Sequence, residues 1–303
     1  MTAACGGGPN PPPLASPSPV PSPIAENRDI LVAAAGDISC PPVSTASCEQ
    51  MRTADLLTRI RPDLVLPLGD TQYFNGEYQN FLLMYEPSWG RMKGITRPAV
   101  GNHEYHTPGA QGYFDYFTGV GQFSGPAGER GFGWYSFNVG RWHVISLNSN
   151  CSFVGGCGPG SPQEQWLRAD LRLNQAACTL AYLHHPLFSS GINGNQVQVR
   201  GLYQALYEGN ADLVLTGHEH SYERFAPQAP DGTPDPARGL RQIVVGTGGY
   251  NLTAFREPAL RNSEFRDNRH FGVLRLSLKD GGYAFQFVGI GDDVVDSGTG
   301  TCH

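Results

Sequence analysis

The feature that most constrains this chain is a series of short apolar runs that each stop at a polar residue able to bind a metal. Ile30-Leu31-Val32-Ala33-Ala34-Ala35 ends in Gly36-Asp37, and Leu64-Val65-Leu66-Pro67-Leu68 ends in Gly69-Asp70. Thr96-Arg97-Pro98-Ala99-Val100 leads to Gly101-Asn102-His103-Glu104. Residues 179–183 lead to His184, and residues 212–215 are followed closely by Gly217-His218-Glu219-His220. Runs this short, without a helical period, read as strands covered on both faces. A lone Gly-Asp is usually a turn and a lone histidine is usually structural. The information lies in the repetition, because ligands of open α/β sheets gather at the carboxyl ends of the strands.

Helical patterns separate the first strands. Residues 47–60 place Met51, Ala54, Leu57 and Ile60 on one face, and residues 77–89 are also expected to be helical. Residues 134–139 and 142–147 flank Gly140-Arg141 as a hairpin. A helix is expected over residues 162–175, with Ser161 as N-cap and Glu164 completing a capping box. A strand at 242–245 and a hairpin of residues 271–278 and 283–288 complete the expected elements. Alternating strands and helices followed by antiparallel pairs imply an α/β domain with layered sheets rather than one doubly wound sheet.

The N-terminal region cannot belong to that domain. Eight prolines fall between Pro9 and Pro23, a composition that buries too little apolar area to fold and behaves as an extended tether. The expected division is a tether over residues 1–28 and a catalytic domain over residues 29–303. Cys5 follows Thr2-Ala3-Ala4, so the segment reads either as a lipoprotein remnant with its lipid on Cys5 or as the start of an ordinary secreted protein. Six further cysteines allow 15 connectivities. The economical pairing is Cys40–Cys48, Cys151–Cys157 and Cys178–Cys302. Such cysteine usage favours an oxidising location: periplasmic, lipid-anchored at the cell surface, or secreted. The net charge of -6 and the lack of a basic cluster argue against capture of nucleic acid. No run of 18 apolar residues is present to form a transmembrane segment.

Two aspartates, an asparagine and three histidines offer hard oxygen and imidazole donors, enough for two metals if one carboxylate bridges. Metals about 3.5–4 Å apart can clamp both the attacking and leaving oxygens at phosphorus. Gly36, Gly69, Gly101 and Gly217 sit beside the donors, where backbone must pass close to the ions.

The ordered set Gly36-Asp37, Gly69-Asp70-x-x-Tyr73, Gly101-Asn102-His103-Glu104, Leu183-His184-x-Pro186 and Gly217-His218-x-His220 resembles the calcineurin-like metallophosphoesterases. Tyr222-Glu223-Arg224 adds similarity to the purple acid phosphatase branch. The resemblance implies a four-layer α/β/β/α sandwich with a dinuclear site. It implies that Asp37, Asp70, Tyr73 and His220 hold one metal and that Asp70, Asn102, His184 and His218 hold the other. His103 would be general acid or hydrogen-bond donor to the phosphate. Many members carry a histidine two residues after the first aspartate, where this chain has Ser39, so Tyr73 is the candidate replacement. A phenol of pKa near 10 ionises most readily on iron(III). Iron(II), zinc, manganese or another divalent ion would fill the second position, with calcium also in range.

The implied activity is phosphomonoester hydrolysis by in-line attack of metal-bound hydroxide on a phosphorylated small molecule, by a monomer. A phosphodiesterase or nucleotidase on the same core is the alternative, and a non-catalytic surface binding protein a remote one. The chain departs from the branch at Asn193-Gly194-Asn195, where further phosphate-contacting histidines are usual. Asn193, His185 and Glu104 are therefore candidates for orienting a ligand or touching substrate, Glu104 through His103. His106 is unassigned, and His143, Trp134 and Trp166 read as packing.

Overall fold

The computed structural model describes residues 28–44, 48–174 and 176–303. Cys5 and residues 1–27 of the expected tether lie outside the described residues. A five-stranded sheet runs in the order β14 (Val294–Thr301), β13 (Gly282–Gly289), β12 (Gly272–Lys279), β1 (Ile30–Ala35), β2 (Leu64–Pro67). A seven-stranded sheet runs β11 (Ser263–Asp267), β9 (Tyr222–Phe225), β10 (Arg241–Val245), β8 (Leu213–Thr216), β7 (Cys178–Leu183), β6 (Trp142–Ser146), β5 (Tyr135–Val139). A small hairpin of β3 (Ser124–Gly125) and β4 (Gly128–Glu129) stands apart. β1–β2, β6–β7, β7–β8 and β8–β10 pair in parallel, and the remaining pairs are antiparallel.

Side-chain alternation explains the layering. Val144, Leu180, Tyr182, Leu213, Leu215 and Ile243 share one core cluster with Val32, Leu66, Leu274 and Phe287 of the facing sheet. The intervening residues Ile145, Ala181, Leu183 and Val214 join a second cluster with Leu167, Leu202 and Leu206. Those leucines belong to helices α4 (Pro162–Leu173) and α5 (Arg200–Glu208). Helix α1 (Gln50–Ile60) packs against β12 through its buried Ala54, Leu56 and Leu57 side. The expected α/β/β/α sandwich results. Strands covered on both faces are apolar at most positions, hence the nearly continuous apolar runs.

The expected helix over residues 77–89 is broken into α2 (Tyr78–Asn80), a π turn over Phe81–Tyr85 and a 3-10 helix over Trp89–Ile95. Pro87 lacks an N–H and its ring stops the helical ladder there. A further helix, α3 (Gln111–Phe117), packs with α2. Ser161 has the extended backbone of an N-cap, but the capping box does not form. Glu164 instead accepts the Gly160 N–H at 2.9 Å and pairs with Arg168 one turn along. All three disulfides join the expected cysteines, and Cys178–Cys302 ties the C-terminal tail to β7.

A candidate metal centre

Strand ends from both sheets meet at one edge. In the five-stranded sheet Ala35 of β1 is level with Pro67 of β2, and in the other Leu183 of β7 is level with Thr216 of β8. Asp37, Asp70, His184 and His218 therefore emerge side by side. Asn102 arrives on a segment that is not a strand but is aligned parallel to β2 by isolated bridges at Val65–Thr96 and Leu68–Ala99. Asp37, Asp70 and His218 have φ of 60°, 46° and 70°, a left-handed backbone that side chains with a Cβ seldom adopt. Such geometry persists where the surroundings over-determine it and concentrates at functional sites. Gly101 is required by proximity: a Cβ there would lie 2.1 Å from Asp70 Oδ1.

The expected ligands form two donor groups that share one atom. Tyr73 Oη lies 2.8 Å from Asp37 Oδ1, 3.0 Å from His220 Nε2 and 3.2 Å from Asp70 Oδ2. His184 Nε2 lies 3.0 Å from Asn102 Oδ1, 3.2 Å from His218 Nδ1 and 3.2 Å from the same Asp70 Oδ2. A phenol has one proton, yet three acceptor atoms converge on it, and a second set of lone pairs converges on His184 Nε2. The donor set thus fits cations better than hydrogen bonds. Neighbouring groups orient the rings: His184 Nδ1 is bonded to the Leu68 carbonyl at 2.8 Å, and His220 Nδ1 contacts Asn251 Oδ1 at 2.6 Å. Each contact leaves Nε2 pointing into its group, as imidazole ligands are commonly held.

The electrostatics have the same form. Burial would raise the Asp70 carboxyl, but the charge and hydrogen bond of His184 overcome it and hold the group well below the usual carboxylate range. Burial opposes charge on His184, yet the Asp70 carboxylate raises it to about 9. His218 is lowered to about 4 by burial and by repulsion from His184. Burial, followed by the Asp37 and Asp70 charges, raises the Tyr73 phenol well above its ordinary value. This is an anionic cradle that demands a positive charge at its centre.

The residues around the donors divide differently from expectation. His103 lies beside the centre: its N–H donates to Asp70 Oδ1 at 2.9 Å, and its ring sits 4.4 Å from that of Tyr73. Its Nδ1 is 2.7 Å from the Phe74 carbonyl, leaving Nε2 free at 3.9 Å from Asp70 Oδ2. Glu104 does not orient His103 and cannot touch substrate, because its side chain is fully buried. Its carboxylate accepts the N–H groups of Asp70, Thr71, Gln72 and Gly101 at 2.7–3.2 Å and the Thr71 hydroxyl at 2.9 Å. His185 contacts Ser149 Oγ at 2.7 Å and packs its ring 4.3 Å from that of His218; it supports a neighbour and bonds to no expected ligand. The Asn193 side chain is exposed, its amide 3.5 Å from the His218 carbonyl, while its backbone bonds to Gln196 and Glu219. His106 shares the Phe74 carbonyl with His103, at 2.9 Å.

His143 is buried but bonded to Asn138 and Asp170, so it is more than packing, while Trp134 and Trp166 contact each other. Asn251 and Tyr250 were not legible as site residues. Tyr250 stacks on Tyr73 at 3.8 Å, and both follow the Gly246-Thr247-Gly248-Gly249 run after β10, which has no metal-competent side chain of its own.

A two-sheet sandwich that brings aspartate, asparagine, histidine and tyrosine to one edge defines a metal-binding phosphoesterase fold. The chain belongs to the calcineurin-like phosphoesterase family, whose sequence profile matches residues 26–222. It is similar to a protein of Arabidopsis thaliana named probable purple acid phosphatase 20, with 28% identity over 282 residues, 84% of this chain and 60% of that one. Acid phosphatase type 7 of Homo sapiens is 29% identical over 255 residues, 72% of this chain and 56% of that one. The solved purple acid phosphatase from yellow lupin seeds superimposes with a TM-score of 0.75 at 21% identity, covering 93% of this chain and 55% of that chain. The chain thus spans about 60% or less of the length of these relatives.

Proposed function

We propose that this chain is a dinuclear metal-dependent phosphohydrolase acting on phosphomonoesters, with residues 29–303 as catalytic domain and residues 1–28 as tether. The observation that carries the reading is Asp70 Oδ2, 3.2 Å from Tyr73 Oη in one donor group and 3.2 Å from His184 Nε2 in the other. Asp37, Asp70, Tyr73 and His220 would hold one ion, and Asp70, Asn102, His184 and His218 the other. The bound pair would supply Lewis acidity, making water acidic enough to act as nucleophile and neutralising charge on the phosphoryl group.

The chain's own residues position the rest. Glu104 holds the loops bearing Asp70 and Asn102 in register. His103, with Nδ1 tied to the Phe74 carbonyl, presents Nε2 toward substrate as the atom that carries a proton to the leaving oxygen. Iron(III) is the proposed occupant at Tyr73, because a phenol buried among carboxylates ionises only on a strong Lewis acid. Iron(II), zinc, manganese or another divalent ion occupies the second position. The names of the similar proteins favour the phosphatase reading over the diesterase one. Three disulfides are consistent with export to an oxidising compartment. Among the described residues no helix is long and apolar enough to cross a membrane, and the protein is proposed to be an exported monomer. Cys5 is its proposed lipid anchor.

Chromogenic monoester and diester substrates, compared side by side after metal reconstitution, test the reading. The monoester is expected to turn over at least about ten times faster. A faster diester would overturn the monoester assignment. No turnover with fewer than two ions per chain would make the protein a non-catalytic binder.

A further inference from the structure

We infer that Phe74 and Tyr250 form the wall that receives the leaving group, and that this group is a flat aromatic ring: the substrate class is aryl phosphates rather than sugar or polyol phosphates. The inference rests on the phosphomonoesterase reading above and deepens it.

Phe74 directly follows the donor Tyr73, yet its ring is 49% exposed. A single exposed phenyl means little by itself. This one belongs to a set of rings around the centre. Tyr250 lies flat on Tyr73, with centroids 3.8 Å apart and planes 16° apart, and its ring is 5.6 Å from that of His220. The Phe74 ring meets Tyr250 nearly at a right angle, at 5.7 Å and 86°. It also lies 6.4 Å from the His103 ring. Two rings at a right angle thus make an apolar corner beside the imidazole assigned to the leaving oxygen.

In an in-line displacement the leaving group departs on the side of the acid that protonates it, so whatever flanks His103 is what the leaving group touches. The backbone reinforces the placement. The Phe74 carbonyl is bonded to both His103 Nδ1 and His106 Nδ1, at 2.7 and 2.9 Å, so the backbone that carries the phenyl is tied to both imidazoles. None of Phe74, Tyr250, His103 and His106 carries a fixed positive charge. A second phosphate on the leaving group would find no permanent cation among them, whereas an aromatic ring can stack or meet an edge.

Phosphonates separate recognition from leaving-group chemistry, because their carbon–phosphorus bond is not hydrolysed. Calorimetric titration of the metal-reconstituted full chain with phenylphosphonate and propylphosphonate is the test. The phenyl compound is expected to bind about five- to tenfold more tightly, within the range of an aromatic contact. That ratio should fall to about twofold or less in Phe74→Ala, which keeps the backbone carbonyl that holds both histidines. Tyr250→Leu, which keeps bulk but loses the ring, should lower it as well. Equal affinity in the unmodified protein, or a ratio that survives both substitutions, would overturn the aromatic subsite alone. Failure of either phosphonate to bind the metal-loaded protein would overturn the phosphohydrolase reading and the subsite with it.

Discussion

Glu104 accepts the backbone N–H of Asp70 at 3.0 Å and, with the same carboxylate oxygen, the N–H of Gly101 at 2.7 Å. One buried side chain therefore sets the spacing of the two loops that carry Asp70 and Asn102. Its other oxygen receives Thr71 and Gln72. Glu104→Gln would turn an NH2 group toward N–H donors and leave several of them unpaired. Breaking hydrogen bonds to a buried charge should cost about 3 kcal/mol or more. In a chain of this size that lowers Tm by roughly 5 °C. Thermal melts will measure the loss, and metal titration should show weaker uptake even where the variant remains folded. An unchanged Tm would mean the carboxylate does not bind the loops together.

Asp70→Ala and His103→Ala should separate metal binding from turnover. Asp70 supplies the oxygen common to both donor groups, so its loss should reduce bound metal from two ions to less than one per chain. His103 touches the centre without belonging to either group, so His103→Ala should keep its metals and lose about 10²–10⁴ in kcat, the usual scale for general acid catalysis. Elemental analysis and steady-state kinetics on the same samples decide it. Full activity in His103→Ala would remove the acid role.

Tyr73→Phe tests the identity of the ion. If iron(III) sits against the phenolate, the reconstituted protein is coloured by a tyrosinate charge-transfer band, and the substitution abolishes that band. A colourless, active zinc, manganese or calcium enzyme would reject iron while leaving the donor groups intact.

Chelated protein should show a pH signature that metal removes. His184 has a folded pKa of about 9 against 6.5 for an ordinary histidine, because of the Asp70 carboxylate. Its contribution to stability is fully present below about 6.5 and is lost as pH rises through about 9. The difference is on the order of 3 kcal/mol. Melts of the chelated protein between pH 6.5 and 9.5 should therefore show a falling Tm. With metal on Nε2 the proton is displaced, and the fall should largely disappear. A flat profile for the chelated protein would mean that Asp70 and His184 do not share a proton.

Asp37, Asp70, His184 and His218 were legible because each ends a strand covered on both faces, so an apolar run points at its donor along the chain itself. The disulfide partners were legible for a similar reason: two pairs are close in sequence, and the remaining pair had one choice. The helix expected over residues 77–89 is interrupted at Pro87, which has no N–H to continue the ladder. Strand β14 was missed because Val294–Thr301 is rich in Gly, Ser and Thr and lies on a sheet edge, where alternating exposure does not require alternating hydrophobicity.

What the amino-acid order carried by itself was a set of candidate donors at the strand ends and an α/β domain with layered sheets, both read from local patterns that repeat. The four-layer sandwich was implied by the resemblance to the metallophosphoesterases. Only the tertiary structure decided which of Asp70's atoms the two groups share, that Glu104 binds loops instead of orienting His103, and that Tyr250 and Asn251 reach the centre. Those relationships join segments 30 to nearly 180 residues apart, through contacts that exist only once two sheets have closed on one another. A hydrogen bond or ring contact across that distance leaves no periodic mark on either segment.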